Sequence, residues 1–361
     1  MKILISGGGT GGHLTPALAL ADTFRQMRPD LEVHLVGAER GIESQILPQH
    51  PYPFTLLPLQ PIYRRQWWKN VQWPVLAVRL WRRIGALLDE VQPTLVVGTG
   101  GYASGPVVYH AQRSDIPTAI QESDARPGIA TRWLSGRARQ IHLGFPEAQA
   151  RLRPGDRTEV FTFGNPITPP EPGDRAEAVK ALGLDPALPT LLVFGGGQGA
   201  RAINYAVAGV LEHGHLAGVN LIWGTGVANY PGLSGYARSG KVVVQGFFDP
   251  MAPIYRATDL VVCRAGALTI AELCAWGKPS LLVPLPTAAA NHQLENARAM
   301  AGANASVLME ESSLTPHSLA TAITQLISDV SRRQSMARAA LGRGRPTASR
   351  DVVSRLLTLV S

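Results

Sequence analysis

The sequence predicts an α/β protein built from two Rossmann-like domains, with parallel sheets facing a cleft. Three observations carry that expectation. Short β-rich runs alternate with helical stretches along the 361 residues, as parallel strands joined by helical crossovers do. A glycine-rich strand-to-helix turn occurs twice, at 5–12 and at 193–200. Between the halves, the proline-rich stretch 164–174 suits neither helix nor strand and reads as a linker.

The expected strands are 2–6, 32–36, 94–98, 117–121 and 139–143 in the first half. In the second they are 190–194, 219–223, 241–245, 259–263 and 280–284. Helical patterns lie between them. At 14–27, Leu14, Leu18, Ala21 and Phe24 share one face, and Pro16 sits in the first turn, where its missing N–H costs nothing. A basic, alanine-rich helix at 332–342 and an apolar stretch at 352–360 close the chain. The expected division is a domain over 1–164, a second over 165–335, and a helical segment 336–361 returning to the first.

Charge narrows the partners. Thirty-four Lys and Arg against 26 acids give a net charge of +8, which favours phosphate groups or an acidic membrane face. No zinc-finger, RRM or helix-turn-helix spacing is present, so nucleic acid is not an expected partner. Cys263 and Cys274, the two cysteines, cannot build a disulfide framework and point to a reducing compartment. The residues before the first glycine run are too few for a signal-peptide core. No run reaches the roughly 18 apolar residues of a spanning helix. A soluble or peripheral protein is expected.

Both glycine turns, GGGTGG at 7–12 and GGGQGA at 195–200, match G-x-G-x-x-G/A. The glycines allow a tight turn and bring backbone N–H groups close to an anion, and the helix N-terminus adds partial positive charge. A dinucleotide-binding reading needs a ribose-binding acid as well. Glu39 stands where one is needed after the first turn, and no acid follows the second. An NAD(P) oxidoreductase is therefore the runner-up.

The stretch 259–272 is more specific. A buried strand ends at Cys263, turns through Gly266 and opens a helix whose N-terminal amides, Ala267 to Thr269, can hold a diphosphate. Thr269 and Glu272 lie on one helix face, where a carboxylate can take two hydrogen bonds from a ribose cis-diol. An acid complementing the helix dipole is the plainer reading of Glu272. Gln293, at the start of another helix, offers an amide to sugar hydroxyls.

RAGALTIAE at 264–272, GGGTGGH at 7–13, GGQGAR at 196–201, GTGGYASGP at 98–106 and FFDPM at 247–251 together resemble the MurG family of peptidoglycan N-acetylglucosaminyltransferases. The resemblance runs in order over nearly the whole chain. It implies a GT-B fold, with UDP-N-acetylglucosamine bound mainly by the C-terminal domain. The implied acceptor is undecaprenyl-diphospho-N-acetylmuramoyl-pentapeptide (lipid I), engaged mainly by the N-terminal domain. The sugar passes to the muramoyl 4-hydroxyl with inversion, giving lipid II, at the cytoplasmic side of the inner membrane. The close alternatives are another GT-B enzyme acting on a UDP-sugar, either a lipid glycosyltransferase or a UDP-N-acetylglucosamine 2-epimerase. Family donor contacts fall on Thr10, Gly11 and Gly12, on Phe248 through its backbone, on Ala267, Leu268, Thr269, Ile270, Ala271 and Glu272, and on Gln293. Three positions depart from the family pattern. Asp124 stands where many members carry Asn, Thr168 where Arg is common, and Gly197 where a Ser usually meets the donor. Arg201 and Arg264 are the candidates to compensate.

An inverting transfer needs a base for the acceptor hydroxyl and stabilisation of the leaving UDP. His13, next to the first glycine turn, is one candidate base, and an acceptor-phosphate contact is its equal alternative. Asp124 is the rival base. Tyr102 and Ser104 are candidates to line the acceptor site. The chain has no Asp-x-Asp pair and no histidines at metal spacing, so neither metal nor organic cofactor is expected. Residues 62–84 hold Trp67, Trp68, Trp73 and Trp81 with Arg64, Arg65, Lys69, Arg79, Arg82 and Arg83, and no acid. That composition suits an anionic membrane surface. Leu76, Leu80, Ile84 and Leu87 recur at helical spacing after Pro74, so that face is expected to pack inward.

Overall fold

The computed structural model describes residues 1–9, 11–59, 73–196 and 199–360. The chain forms two compact units, Met1–Thr168 with Thr347–Ser361, and Pro169–Pro346. The expectation broke the chain at 335/336. Instead the helix Val330–Arg343 stays in the second unit, packed on the helix Ala267–Ala275, and the chain crosses at Thr347.

The first unit has seven parallel strands: β1 Lys2–Ser6, β2 Glu32–Ala38, β3 Phe54–Leu57, β4 Leu95–Gly98, β5 Thr118–Glu122, β6 Gln140–Leu143 and β7 Glu159–Phe161. Their order is β3-β2-β1-β4-β5-β6-β7. The second has six: β8 Thr190–Phe194, β9 Asn220–Gly224, β10 Val242–Gln245, β11 Leu260–Cys263, β12 Ser280–Leu282 and β13 Ser306–Leu308, in the order β10-β9-β8-β11-β12-β13. Strands β3, β7 and β13 were not expected. Each is three or four residues long and lies at a sheet edge, so it never develops the apolar run of a strand covered on both faces.

The central strands do have that run: Ile3, Leu4 and Ile5 of β1 and Leu191 to Val193 of β8 are fully buried. On one face of the first sheet the helix Gly11–Met27 buries Leu14, Ala17, Leu20, Ala21 and Phe24. The C-terminal helix Ala348–Leu357 joins that layer through Val352, Val353 and Leu356. It is tied to its unit by Ser349 Oγ donating to Ile167 O at 3.3 Å and by an Arg355–Glu159 ion pair at 2.6 Å. Helices Trp73–Val91 and Gly101–Arg113 cover the opposite face, where Leu80, Ile84 and Leu87 are buried as their spacing predicts.

Both sheets reverse winding direction at one point. The chain moves outward from β1 through β2 and returns on the other side as β4, and β8, β9 and β11 repeat this. Such a switch point opens a crevice at the strands' C-terminal ends. The glycine turns follow β1 and β8, so each stands at its unit's crevice.

Candidate functional site

In the first unit, Gly7 N donates to Val36 O at 3.2 Å and Gly8 N to Gly100 O at 3.4 Å, binding the first turn to the ends of β2 and β4. Gly9 has φ +92°, a conformation open to glycine, and the ring of Tyr102 fills the place its side chain would take. Beneath the turn lies Glu43, fully buried, with Oε1 accepting the Gly9 N–H. Its space exists because Gly8, Gly37 and Gly41 carry no side chain. The composition and motif reading missed Glu43 altogether. Glu39, the expected ribose acid of the runner-up, is instead paired with Arg83 at 3.0 Å on the surface.

His13 is half-buried in the first turns of its helix. Its carbonyl accepts from Thr99 Oγ1 at 2.8 Å, and its ring lies along Gly100 and Gly101, where a Cβ on Gly100 would come within 2.6 Å of Nδ1. Tyr102 therefore joins His13 and the glycine turn. Ser104 does not face outward: it is buried under Gly98 inside the helix Gly101–Arg113. Gly11 and Gly12 are exposed at the helix start, while Thr10 lies outside the described residues.

Asp124 is buried on the loop after β5. Glu122, the last residue of that strand, holds the loop from below, since Oε1 accepts Asp124 N and Oε2 accepts Gly128 N, both at 3.1 Å. Burial, and then the neighbouring Asp124, push the Glu122 carboxyl up to about 7. Asn165 closes the same corner by donating to Ser123 O at 3.0 Å.

In the second unit amides hold the residue after β9, Thr225, whose carbonyl packs against Gly199 of the glycine turn. Asn204 and Asn229 both donate to Thr225 O, at 2.8 and 3.1 Å, and Asn204 also accepts from Trp223 Nε1 at 3.0 Å. Gly196 has open space where a side chain would be, and Arg201 is exposed at the first position of the next helix. Gly197 lies outside the described residues. Phe248 is buried against Gly224, with Phe247 exposed beside it.

After β11, Asn296 donates to Ala265 O at 3.2 Å and fixes the turn before the helix Ala267–Ala275. Ala267, Leu268, Thr269, Ala271 and Glu272 are half-buried, whereas Ile270 points into the core. Glu272 Oε2 accepts from Tyr255 Oη at 2.6 Å. Burial raises its proton affinity, and the Tyr255 bond works against that. Gln293 Oε1 accepts Leu285 N at 3.0 Å, which orients its Nε2 as a donor. Arg264 is not available as a compensating cation. It pairs with Glu311 at 2.5 Å and donates to the carbonyls of Val283 and Pro284. Of the two candidates, Arg201 remains. Among the described residues no group of three His, Cys, Asp or Glu side chains could hold a metal ion. No helix among them is long and apolar enough to cross a membrane.

Residues 3–143 match the glycosyltransferase family 28 N-terminal domain, and residues 190–353 match the family 28 C-terminal domain. A UDP-N-acetylglucosamine--N-acetylmuramyl-(pentapeptide) pyrophosphoryl-undecaprenol N-acetylglucosamine transferase of Chlorobaculum parvum is 39% identical over 367 residues, covering 99% of both chains. The protein of the same description from Chlorobium luteolum is 40% identical with the same coverage. Among solved structures, the MurG of Acinetobacter baumannii superposes with a TM-score of 0.80 at 26% identity, over 99% of each chain.

Proposed function

The chain belongs to the MurG family of UDP-N-acetylglucosamine--N-acetylmuramyl-(pentapeptide) pyrophosphoryl-undecaprenol N-acetylglucosamine transferases, and from that premise we propose how its residues divide the work. The reaction moves N-acetylglucosamine from UDP to the muramoyl hydroxyl of lipid I, forming lipid II. Identity near 39% over the full length favours this over an epimerase or an oxidoreductase.

The second unit holds the donor. Glu272 receives the ribose hydroxyls, the backbone of Phe248 meets the uracil, and Gln293 Nε2 donates to the sugar. The amides at the start of the helix Ala267–Ala275, with the turn at 195–200 and Arg201, meet the diphosphate. The first unit holds the acceptor and the base. His13 takes the proton of the attacking hydroxyl, a task suited to imidazole near neutral pH, and Asp124 orients that hydroxyl. Thr10, Gly11 and Gly12 touch the donor sugar from the first turn. Gly197 brings no hydroxyl and Thr168 no guanidinium, so the charge on the leaving UDP falls to amides and Arg201. The observation that carries this reading is Glu272, half-buried in the second turn of the helix Ala267–Ala275, with its motif intact and one carboxylate oxygen fixed by Tyr255.

Lipid II formation from UDP-N-acetylglucosamine and lipid I, with and without excess EDTA, tests the assignment. Turnover persists in the chelator. Complete loss restored by one divalent ion would refute the metal-free account. Membrane docking is part of the proposal: residues 62–84, on the cytoplasmic side of the inner membrane, bring the site to an acceptor anchored in the bilayer. Residues 60–72, with Trp67 and Trp68, lie outside the described residues. Anionic vesicles sediment the protein, less so at high salt, and Trp67→Ser with Trp68→Ser weakens that binding. Sedimentation unchanged in the double variant moves the docking surface elsewhere.

A further inference from the structure

Segments that connect regular elements usually run over the surface, yet Gly164, Asn165, Pro166 and Ile167, which follow β7, are all buried. Asn165 is 2% exposed. A carboxamide taken out of water is costly unless both its ends are bonded. Both are. Nδ2 donates to Ser123 O at 3.0 Å, and Oδ1 accepts from Gln121 Nε2 at 3.4 Å. The second bond fixes which end of the amide is which, because Gln121 Nε2 can only donate. The fit is close as well. A Cβ on Gly144, the residue after β6, would lie 2.4 Å from the Asn165 amide, so only glycine lets the amide pass there. The segment bearing it is fastened in turn. Gly164 N donates to Leu143 O at 3.0 Å, Gly164 O accepts from Gln121 Nε2 at 3.3 Å, and Ile167 O accepts from Ser349 Oγ. Asn165 is a fixed point against which the loop after β5 is held.

What it holds is a single peptide unit. The carbonyl of the Ser123–Asp124 peptide accepts from Asn165 at 3.0 Å, and the N–H of the same peptide donates to Glu122 Oε1 at 3.1 Å. The peptide is planar, so a grip on both its carbonyl and its N–H stops it from turning about the two flanking bonds. That rotation is the one that would swing the Asp124 side chain. Glu122 alone leaves the plane a pivot, and Asn165 closes it. A group that locks the backbone beside a working side chain gives that side chain one direction before substrate arrives.

We propose that Asn165 is a positioning residue for the sugar transfer: by gripping the Ser123–Asp124 peptide it aims the Asp124 carboxylate at the acceptor hydroxyl, without itself touching substrate. This rests on the role given to Asp124 above. The test is a double-variant cycle on kcat at saturating substrates, with KM for UDP-N-acetylglucosamine measured on each protein. Asn165→Ala lowers kcat about tenfold or more, the cost of a small misplacement at a reacting centre. It leaves that KM within about twofold, since the donor is bound by other residues. Asn165→Leu keeps the size of the side chain, removes both its bonds, and lowers kcat as far, which separates the bonds from the space filled. Gly144→Ala, whose Cβ displaces the amide instead of deleting it, repeats the loss if an Asn165 variant fails to fold. In an Asp124→Ala background each of these changes costs less than about twofold more, because no carboxylate is left to aim. Losses that multiply in the double variants overturn the proposal, as does a raised KM with kcat unchanged. Impaired turnover in Asp124→Ala beside normal turnover in the Asn165 variants strikes the proposal alone. Normal turnover in Asp124→Ala strikes the reading of Asp124 and the proposal with it.

Discussion

Beneath the glycine turn of the first unit lies a carboxylate, Glu43, which takes the Gly9 N–H, while beside that of the second the amides of Asn204 and Asn229 hold Thr225 O, against which Gly199 packs. The second loop of each crevice repeats the contrast. Glu122 holds the Asp124 loop from below, and Asn296 holds the turn before Ala267. Both chemistries satisfy buried backbone groups, which any folded loop requires. They differ in what they leave for a ligand. A diphosphate arriving over a buried carboxylate meets like charge in a medium that screens poorly, whereas a carboxamide fixes the loop and adds no charge. The proposed function gives the nucleotide diphosphate to the unit with neutral supports, and the hydroxyl and its proton to the unit that carries the acids, with the acceptor's own diphosphate lying off the Glu43 turn. On that proposal the same glycine motif is a phosphate cradle in one half and a platform for His13 in the other.

The largest expected effect probes the acid side of this contrast. Because Glu122 is pushed up to about 7 when folded, the native state binds its proton more tightly than the unfolded chain, where Glu titrates near 4.3. Stability from this group is therefore fully present below about pH 4 and is lost as pH rises through about 7, by about 3 kcal/mol in all. Urea unfolding midpoints should fall between about pH 5 and 8 in the wild type. The fall should shrink in Asp124→Asn, which removes the second cause, and nearly vanish in Glu122→Gln. A Glu122→Gln profile as steep as the wild type's would mean that another group titrates.

A smaller effect probes the neutral side. Asn229→Asp puts a carboxylate beside the second turn at a half-buried position and removes the donor to Thr225 O, so its melting temperature is measured alongside binding. UDP-N-acetylglucosamine binding should weaken about tenfold, partly recovered at high salt, while Asn229→Ala costs less. Equal losses in the two variants, independent of salt, would show that the amide matters only as a clamp.

Much of this was legible in the sequence where local pattern and structure coincide. Runs such as Leu191–Val193 are buried on both faces and read directly as strands, and the glycine turns announce the switch points. Edge strands did not read, because Phe54–Leu57, Glu159–Phe161 and Ser306–Leu308 pair on one side only and are half-exposed. Glu43 was illegible for a different reason. Locally it is an acid opening a one-turn helix, and its burial depends on Gly8, Gly37 and Gly41 from separate segments. Arg264 could be named as a spare cation only until Glu311, distant in sequence, was seen to occupy it.

The division between the two turns is tested most directly by measuring UDP-N-acetylglucosamine affinity by calorimetry, and kcat with saturating substrates, in Glu43→Ala and Glu272→Ala. Glu272→Ala should lose about 1.5–3 kcal/mol of donor affinity, the range for hydrogen bonds to a charged group. Tyr255→Phe, which removes only the internal partner of Glu272, separates that loss from a change in the helix. Glu43→Ala should keep donor affinity within about twofold and lose about tenfold in kcat, because the turn that positions His13 is loosened. The contrary result, Glu43→Ala weakening the donor as much as Glu272→Ala with kcat unchanged, would make the first turn a phosphate cradle and contradict the account.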